Sequence, residues 1–284
     1  MSHPLLQLPN HEQWAILQWA TGRPRSWFAA REPARWWASL LLGETALIER
    51  LAVNRLGGRP LAQLLGHREF YGRRFWVTPD ALIPRSETEG LVDLGLGCLK
   101  AGDPAQDPPQ KTVLDLGTGT GCVGLTLALE QPGIDLTLTD QSPEALSLAR
   151  LNGTWLGVPS RCCLGRWFEA VAADQPFPRG RYDLIVANPP YVAAGDPHLT
   201  RGDLRYEPRA ALEGLYPDAK GLGDLTEILK AAPAWLTPNG WLVVEHGHDQ
   251  QAAVMAMAQQ AGFVHVSGEA DLSGLPRFVK AQLS

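Results

Sequence analysis

The chain reads as an α/β protein in which a mostly parallel, doubly wound sheet follows a small helical domain. Three observations lead there. From Thr112 onward, short apolar strand patterns alternate with helical ones, the sign of consecutive βαβ units. A glycine-rich turn, Asp115-Leu116-Gly117-Thr118-Gly119-Thr120-Gly121, closes the first of those strands, and an acidic residue, Asp140, closes the next. The first sixty or so residues show only helical spacing.

Three apolar stripes carry that helical spacing: Trp14, Leu17, Gln18 and Ala20; Trp36, Trp37, Leu40 and Leu41; and Leu47, Ile48, Leu51, Ala52 and Leu56. Five of the ten tryptophans, Trp14, Trp19, Trp27, Trp36 and Trp37, fall here, as expected where large aromatics fill the core of a small domain. Arg59-Pro60 and the stretch 66–84 interrupt the pattern. Phe70, Tyr71, Phe75, Trp76 and Val77, with Gly72 between them, predict a hairpin. Ser86 with Glu89 three residues on has the spacing of a capping box and predicts a helix running to Leu99. Strands are expected at 112–116, 135–140, 160–164, 181–187, 240–245, 262–267 and 277–282, with helices between. One of these opens at Ser142-Pro143, an N-cap followed by proline. The expected division is a helical substrate-docking domain over 1–66, a hairpin linker over 67–85 and the α/β domain over 86–284. A chain of 284 residues favours two domains in any case.

Composition excludes several classes of function. With 45% hydrophobic and 19% charged residues the chain can bury a large core. A net charge of −5 argues against broad electrostatic binding of nucleic acid, although Arg23, Arg25, Arg31 and Arg35 crowd the N-terminal part. The four cysteines, Cys98, Cys122, Cys162 and Cys163, lack the Cys-x-x-Cys spacing of zinc or redox sites, so no metal is expected and Cys122 reads as a core thiol. Neither a signal peptide nor a membrane span is expected. A monomer in a reducing cytoplasm is the expectation.

In the glycine turn, residues 117, 119 and 121 let the backbone bend sharply and come close to a ligand. The helix that begins near Gly121 aims its free N–H groups at the same place. Asp140 is placed to accept both hydroxyls of a ribose, and Asp115, at the end of the first strand, to help anchor the cofactor. A nicotinamide enzyme would carry Gly-x-Gly-x-x-Gly, whereas this chain has Gly117-Thr118-Gly119-Thr120-Gly121 with Gly124 further on.

The second motif is Asn188-Pro189-Pro190-Tyr191, directly after the apolar run Tyr182-Asp183-Leu184-Ile185-Val186-Ala187. Its bland reading is a rigid exit from a strand, since prolines cannot continue a ladder. Its chemical reading is a pair of acceptors, the Asn188 side-chain oxygen and the Pro189 carbonyl, for the two hydrogens of one planar NH2 group, on which Tyr191 can pack. Beside a nucleotide pocket this describes methyl transfer to an amide or exocyclic amine nitrogen.

With these motifs the chain resembles the release-factor glutamine methyltransferases over nearly its whole length. Leu65 to Gly72 is similar to that family's hairpin, and Leu82-Ile83-Pro84-Arg85-Ser86-Glu87-Thr88-Glu89 to its Ile-Pro-Arg signature. Asp115 to Gly121, Asn188 to Tyr191, Tyr206 to Leu212 and Glu245-His246-Gly247 match as well. The resemblance implies a class I, Rossmann-like methyltransferase domain using S-adenosyl-L-methionine, and a peptide-chain release factor as protein substrate. The methyl group would go to the amide of the glutamine in its Gly-Gly-Gln motif. Gly117, Thr118, Gly119, Thr120, Gly121, Asp140, Trp167 and Asn188 would bind the cofactor, Trp167 by stacking on adenine. Asn188, Pro189, Pro190 and Tyr191 would hold the glutamine. Two features depart from the family pattern: Arg166 stands where an acidic residue is usual, and Gly274 to Phe278 is less polar. A ribosomal-protein glutamine methyltransferase and an adenine-amino methyltransferase acting on nucleic acid share the acceptor motif. The hairpin and the Thr-Glu signature favour the release-factor branch over the first, and the acidic charge balance counts against the second. A non-enzymatic cofactor-binding scaffold would not need Asn188.

Overall fold

A computed structural model describes residues 3–29, 40, 42–100, 110–172, 182–214 and 218–284. After a 3₁₀ turn at Pro4–Gln7 come α1 (Asn10–Thr21), α2 (Arg25–Ala29), α3 (Leu42–Leu56) and α4 (Leu61–Leu65). Leu5, Ile16, Leu17, Ile48, Ala52 and Leu65 form their shared core, with Trp14, Trp27 and Leu40 packed against it. Two of the expected stripes therefore face inward, although Leu56 at the end of the third is 44% exposed. Trp36, Trp37 and Leu41 of the other stripe lie outside the described residues.

The hairpin pairs β1 (His67–Phe70) with β2 (Arg73–Trp76), Phe70 opposite Arg73. Tyr71 and Gly72 both have positive φ, 51° and 69°, which matches the right-handed twist of the two strands. The buried rings of Phe70 and Phe75 meet edge to face at 6.0 Å. Next comes α5 (Glu89–Lys100), whose start departs from the expected capping box. The Glu89 carboxylate accepts the Tyr71 N–H at 2.7 Å, and the Ser86 hydroxyl turns to Glu87. A tight turn strips Tyr71 of a backbone partner, and Glu89 supplies one.

The sheet contains β3 (Thr112–Leu116), β4 (Asp135–Asp140), β5 (Arg161–Leu164), β6 (Tyr182–Ala187), β7 (Leu236–Glu245), β8 (His265–Ala270) and β9 (Pro276–Gln282). Their spatial order is β5-β4-β3-β6-β7-β9-β8, and β9 runs antiparallel to both of its neighbours. The helices between them are α6 (Cys122–Glu130), α7 (Pro143–Leu156), α8 (Glu169–Ala172), α9 (Ala210–Glu213), α10 (Gly223–Ala231) and α11 (Gln251–Gln260). β8 starts three residues later than its sequence pattern predicts, because Gly262 at φ 97° closes the preceding helix and Phe263 is spent in the core. β7 starts four residues early, and a register shift against β6 absorbs the extra residues.

Side-chain alternation assigns each strand residue to a face. Val113, Leu184, Val186 and Val243 pack beneath α5, α6 and the hairpin. Leu114, Leu116, Ile185, Leu242 and Val244 pack beneath α10 and α11. A sheet buried on both faces explains the near-continuous apolar strands. From β3 the chain winds outward to β4 and β5, then returns to β6 on the other side of β3. That reversal opens a crevice at the carboxyl ends of β3 and β6, where open sheets of this kind bind ligands.

Candidate functional site: a cavity at the carboxyl ends of five parallel strands

The strand ends of β3 to β7 deliver the site. The loop after β3 turns through Gly117, Gly119 and Gly121, at φ 66°, 56° and 82°. Two further bonds hold it: the Thr118 N–H reaches the Thr139 carbonyl at 2.8 Å, and the Asn152 side chain donates to the Thr120 carbonyl at 2.8 Å. Asn152 is fully buried on α7 and also exchanges bonds with the Trp76 backbone, so the loop is tied to the hairpin. Asp115, 3% exposed, accepts the Thr118 hydroxyl at 2.7 Å and the Gly124 N–H at 3.0 Å. Burial pushes its carboxyl up to about 6 against those bonds. Gly124 is required for this approach: a Cβ there would sit 2.9 Å from the Asp115 carboxylate and 2.6 Å from Leu138.

Asp140 ends β4 at the cavity wall. One of its oxygens accepts the Gly119 N–H and the other the Ser142 N–H, both at 2.9 Å. The Gln141 N–H also favours the charged form, so backbone donors fix the carboxylate in place at the cavity wall. Burial raises its pKa against these bonds.

After β5, Trp167 adopts a positive φ of 43°, which turns its indole over Gly117. The indole N–H and the Arg166 guanidinium both donate to Asp224 Oδ1, each at 3.2 Å. Asp224, on α10 and 3% exposed, was not singled out in the sequence, where an acid in the first turn of a helix reads as a partner for the helix dipole. Arg166 therefore completes a buried ion pair with Asp224.

On the opposite wall, Asn188 follows β6 and donates its amide N–H to Thr88 Oγ1 at 3.2 Å. That bond directs its side-chain oxygen elsewhere, an orientation assigned from the bonding network. Asn188 and Pro190 line the cavity with the glycine turn, Asp140 and Trp167, whereas Pro189 and Tyr191 stand behind them. The Tyr191 hydroxyl donates to Glu245 Oε1 at 3.1 Å. Glu245, at the end of β7 and 1% exposed, has its carboxyl pushed up to about 7, chiefly by burial. The segment 82–85 closes one side of the cavity. Glu207 fastens it by accepting the Ile83 N–H at 2.9 Å and pairing with Arg85. Cys122 also lines the cavity as a buried thiol raised to about 12, which makes it inert as a nucleophile. Among the described residues no cluster suited to a metal ion occurs, and no helix is long and apolar enough to cross a membrane.

Comparison with known proteins bears on this arrangement. Residues 91–202 match the family model described as the methyltransferase small domain. The crystal structure of a methyltransferase from Pyrococcus furiosus has the same fold, with a TM-score of 0.51 at 14% identity over 81% of this chain and 96% of that one. The protein is thus a Rossmann-like methyltransferase, and its methyl donor is S-adenosylmethionine. A release factor glutamine methyltransferase of Bordetella pertussis is 42% identical over 275 residues, 95% of this chain and 93% of that protein. One of Neisseria gonorrhoeae is 44% identical over 229 residues, 81% and 78% of the two chains. This chain belongs to the release factor glutamine methyltransferase family.

Proposed function

We propose that the enzyme methylates the side-chain amide nitrogen of the glutamine in the Gly-Gly-Gln motif of peptide-chain release factors. The observation that carries this reading is the placement of Asn188 in one cavity with Asp140 and the glycine turn, its amide N–H already spent on Thr88. An amide-bearing substrate needs acceptors rather than donors at that point.

The cavity's own residues fit the donor. Asp140, fixed by backbone donors, presents its carboxylate at the cavity wall to the ribose hydroxyls, and the backbone of Gly117 to Gly121, with Thr118 and Thr120, leaves room for close approach. Trp167, its indole fixed by Asp224, offers a flat apolar face on which adenine stacks. Bound there, S-adenosylmethionine supplies a methyl group on a sulfonium, which is already a good leaving group. The chain's task is to hold and orient the amide. A glutamine amide is a poor nucleophile because its lone pair is delocalised into the carbonyl. Asn188 Oδ1 and the Pro189 carbonyl accept its two N–H bonds, fix its direction and stabilise the positive charge that grows on nitrogen. Orientation of this kind lowers a barrier by roughly 7–11 kcal/mol. The proton leaves after the new N–C bond has formed, so no strong base is required beforehand.

Residues 1–66 form a docking domain for the release factor, joined by the hairpin linker 67–85 to the catalytic part, 86–284. The enzyme acts as a monomer in the cytoplasm, with no direct contact to nucleic acid. Purified release factor, ribosomal protein and DNA, offered side by side with labelled methyl donor, test the reading. Label on the release-factor glutamine alone is expected, and label on either of the other two with none on the release factor overturns it.

A further inference from the structure

Gln250, immediately ahead of α11, is a buried glutamine that stands behind the cavity wall and not among the described residues that line it. Its side chain joins three segments: the exit from the acceptor motif, the turn before α10 and the turn after β7. The Nε2 amide donates to the Tyr191 carbonyl at 3.0 Å and to the Lys220 carbonyl at 2.7 Å. Oε1 accepts the Gly247 N–H at 2.8 Å. Both amide hydrogens and the oxygen are thereby engaged, and the two facing carbonyls require nitrogen at that end of the group. The turn beside Lys220 packs closely on the same peptide: at Gly221, φ 65°, a Cβ would sit 2.1 Å from the Tyr191 oxygen.

We infer that Gln250 is a positioning residue for methyl transfer: by holding the Tyr191 carbonyl, it sets the direction of the Pro189 carbonyl toward the substrate amide. The inference rests on the reading of Asn188 and Pro189 as the two acceptors of that amide. Proline has no N–H, so Pro189 and Pro190 add no ladder bond of their own, and the motif must be held from its two ends. At one end Ala187 is paired in the sheet with Leu116 and Val244. At the other, Gln250 holds the Tyr191 carbonyl, and the Leu212 carbonyl accepts the Val192 N–H at 3.0 Å. The two proline rings fix φ between these anchors, which leaves few soft torsions. With both ends held, the Pro189 carbonyl has one direction; with the Tyr191 end released, it turns with the torsions on either side.

Removal of the Gln250 amide leaves two carbonyls and one N–H without their partner in the interior, and the Tyr191 peptide shifts to recover one. Alignment at a reacting centre is sensitive to such shifts: a displacement of about 1 Å costs on the order of a hundredfold in rate. The cofactor's contacts are on other segments, the glycine turn, Asp140 and Trp167, so its binding is expected to survive. Nothing local marks Gln250 in the sequence, where a glutamine at the head of a helix reads as a solvated residue. Its partners Tyr191 and Lys220 are 59 and 30 residues away along the chain.

The test is single-turnover methylation at saturating cofactor and substrate, run on intact release factor and on a short Gly-Gly-Gln peptide. Cofactor affinity and melting temperature are measured in parallel. Gln250→Met keeps the length of the side chain and loses all three bonds. It is expected to run on the order of tenfold to a hundredfold slower, by the same factor on both substrates, and to bind cofactor as the wild type does. Gln250→Glu keeps the shape and the acceptor for Gly247 but sets an oxygen against the two carbonyls. It is expected to be slow as well, and it decides the matter if Gln250→Met fails to fold. A merely structural role would lower the melting temperature and leave the saturated rate of the folded enzyme unchanged. That outcome in either folded variant overturns the inference, as does a loss confined to the intact release factor or one that weaker cofactor binding accounts for. Asn188→Ala, run alongside, keeps two failures apart. Normal turnover there sinks the acceptor reading itself, whereas a slow Asn188→Ala beside a wild-type rate in Gln250→Met sinks only the role of Gln250.

Discussion

Replacing Glu245 by glutamine removes a charge that the fold holds at a disadvantage, so the variant should be the more stable protein wherever that charge exists. Burial moves this carboxyl from 4.5 to about 7. At about 1.4 kcal/mol per pH unit the displacement corresponds to roughly 3 kcal/mol. The native state holds the proton more tightly than the unfolded chain does, so between pH 4.5 and 7 it carries the larger number of protons and stability falls as pH rises. Below that window the group is neutral in both states and contributes nothing. Asp115, moved from 3.8 to about 6, adds a decline of the same sign that ends sooner. Glu245→Gln keeps the Asp115 decline and loses the other. Urea unfolding at pH 5 and pH 8 measures this directly. At pH 5 the variant and the wild type should differ by less than about 1 kcal/mol, and at pH 8 the variant should lead by roughly 3 kcal/mol. The corresponding rise in melting temperature is on the order of 6–12 °C for a domain of about this size. The same stability difference at both pH values would refute the reasoning, because it would mean that Glu245 is not titrating in the fold.

Asn188→Ala should lower the single-turnover rate by about 10²–10³, the effect of removing one transition-state partner, while calorimetry shows cofactor binding unchanged. Asp140→Ala should weaken S-adenosylmethionine binding on the order of tenfold to a hundredfold, since a hydrogen bond to a charged group contributes roughly 1.5–3 kcal/mol; circular dichroism checks that the protein remains folded. Removal of residues 1–66 should reduce kcat/KM on intact release factor more than on a short Gly-Gly-Gln peptide, because only the intact protein uses remote contacts. An equal loss on both substrates, in a truncated protein shown to be folded, would assign those residues a structural role.

What could be read in the sequence was what depends on local pattern. Five of the seven expected sheet strands lie within a residue of their observed ends, the early start of β7 and the late β8 being the exceptions, because alternating burial and terminal glycines are written into neighbouring residues. The glycine turn and Asp140 come together because consecutive strands of a parallel sheet end on the same side. Ser142 caps α7 as expected, its hydroxyl accepting the Ala145 N–H at 3.1 Å. The capping box at Ser86 failed for a non-local reason: Glu89 is needed by Tyr71, eighteen residues earlier. Asp224 and Asn152 belong to no sequence motif for the same kind of reason, and Glu207 is marked only through the family resemblance of Tyr206 to Leu212. Each acts on a segment far away in the chain, and nothing in its own surroundings sets it apart from an ordinary surface acid or amide.

These long-range bonds also show how the N-terminal helices relate to the chemistry. Arg55 on α3 pairs with Glu12 on α1 at 2.8 Å and with Asp203 at 2.9 Å. The Gly57 carbonyl accepts both the Arg205 guanidinium and the Tyr206 hydroxyl, and Gln63 donates to the Tyr206 carbonyl at 3.1 Å. The next residue, Glu207, is the one that fastens Ile83 and Arg85 along the cavity. A single short stretch, 203–207, thus has one end bonded to the helices and the other to the wall of the cavity. Most of these bonds at its helical end are exposed or half-exposed and contribute little each, whereas Glu207 is buried, and its loss would leave an N–H and a guanidinium without their partner. The stretch is therefore firmly held at the cavity and loosely held at the helices.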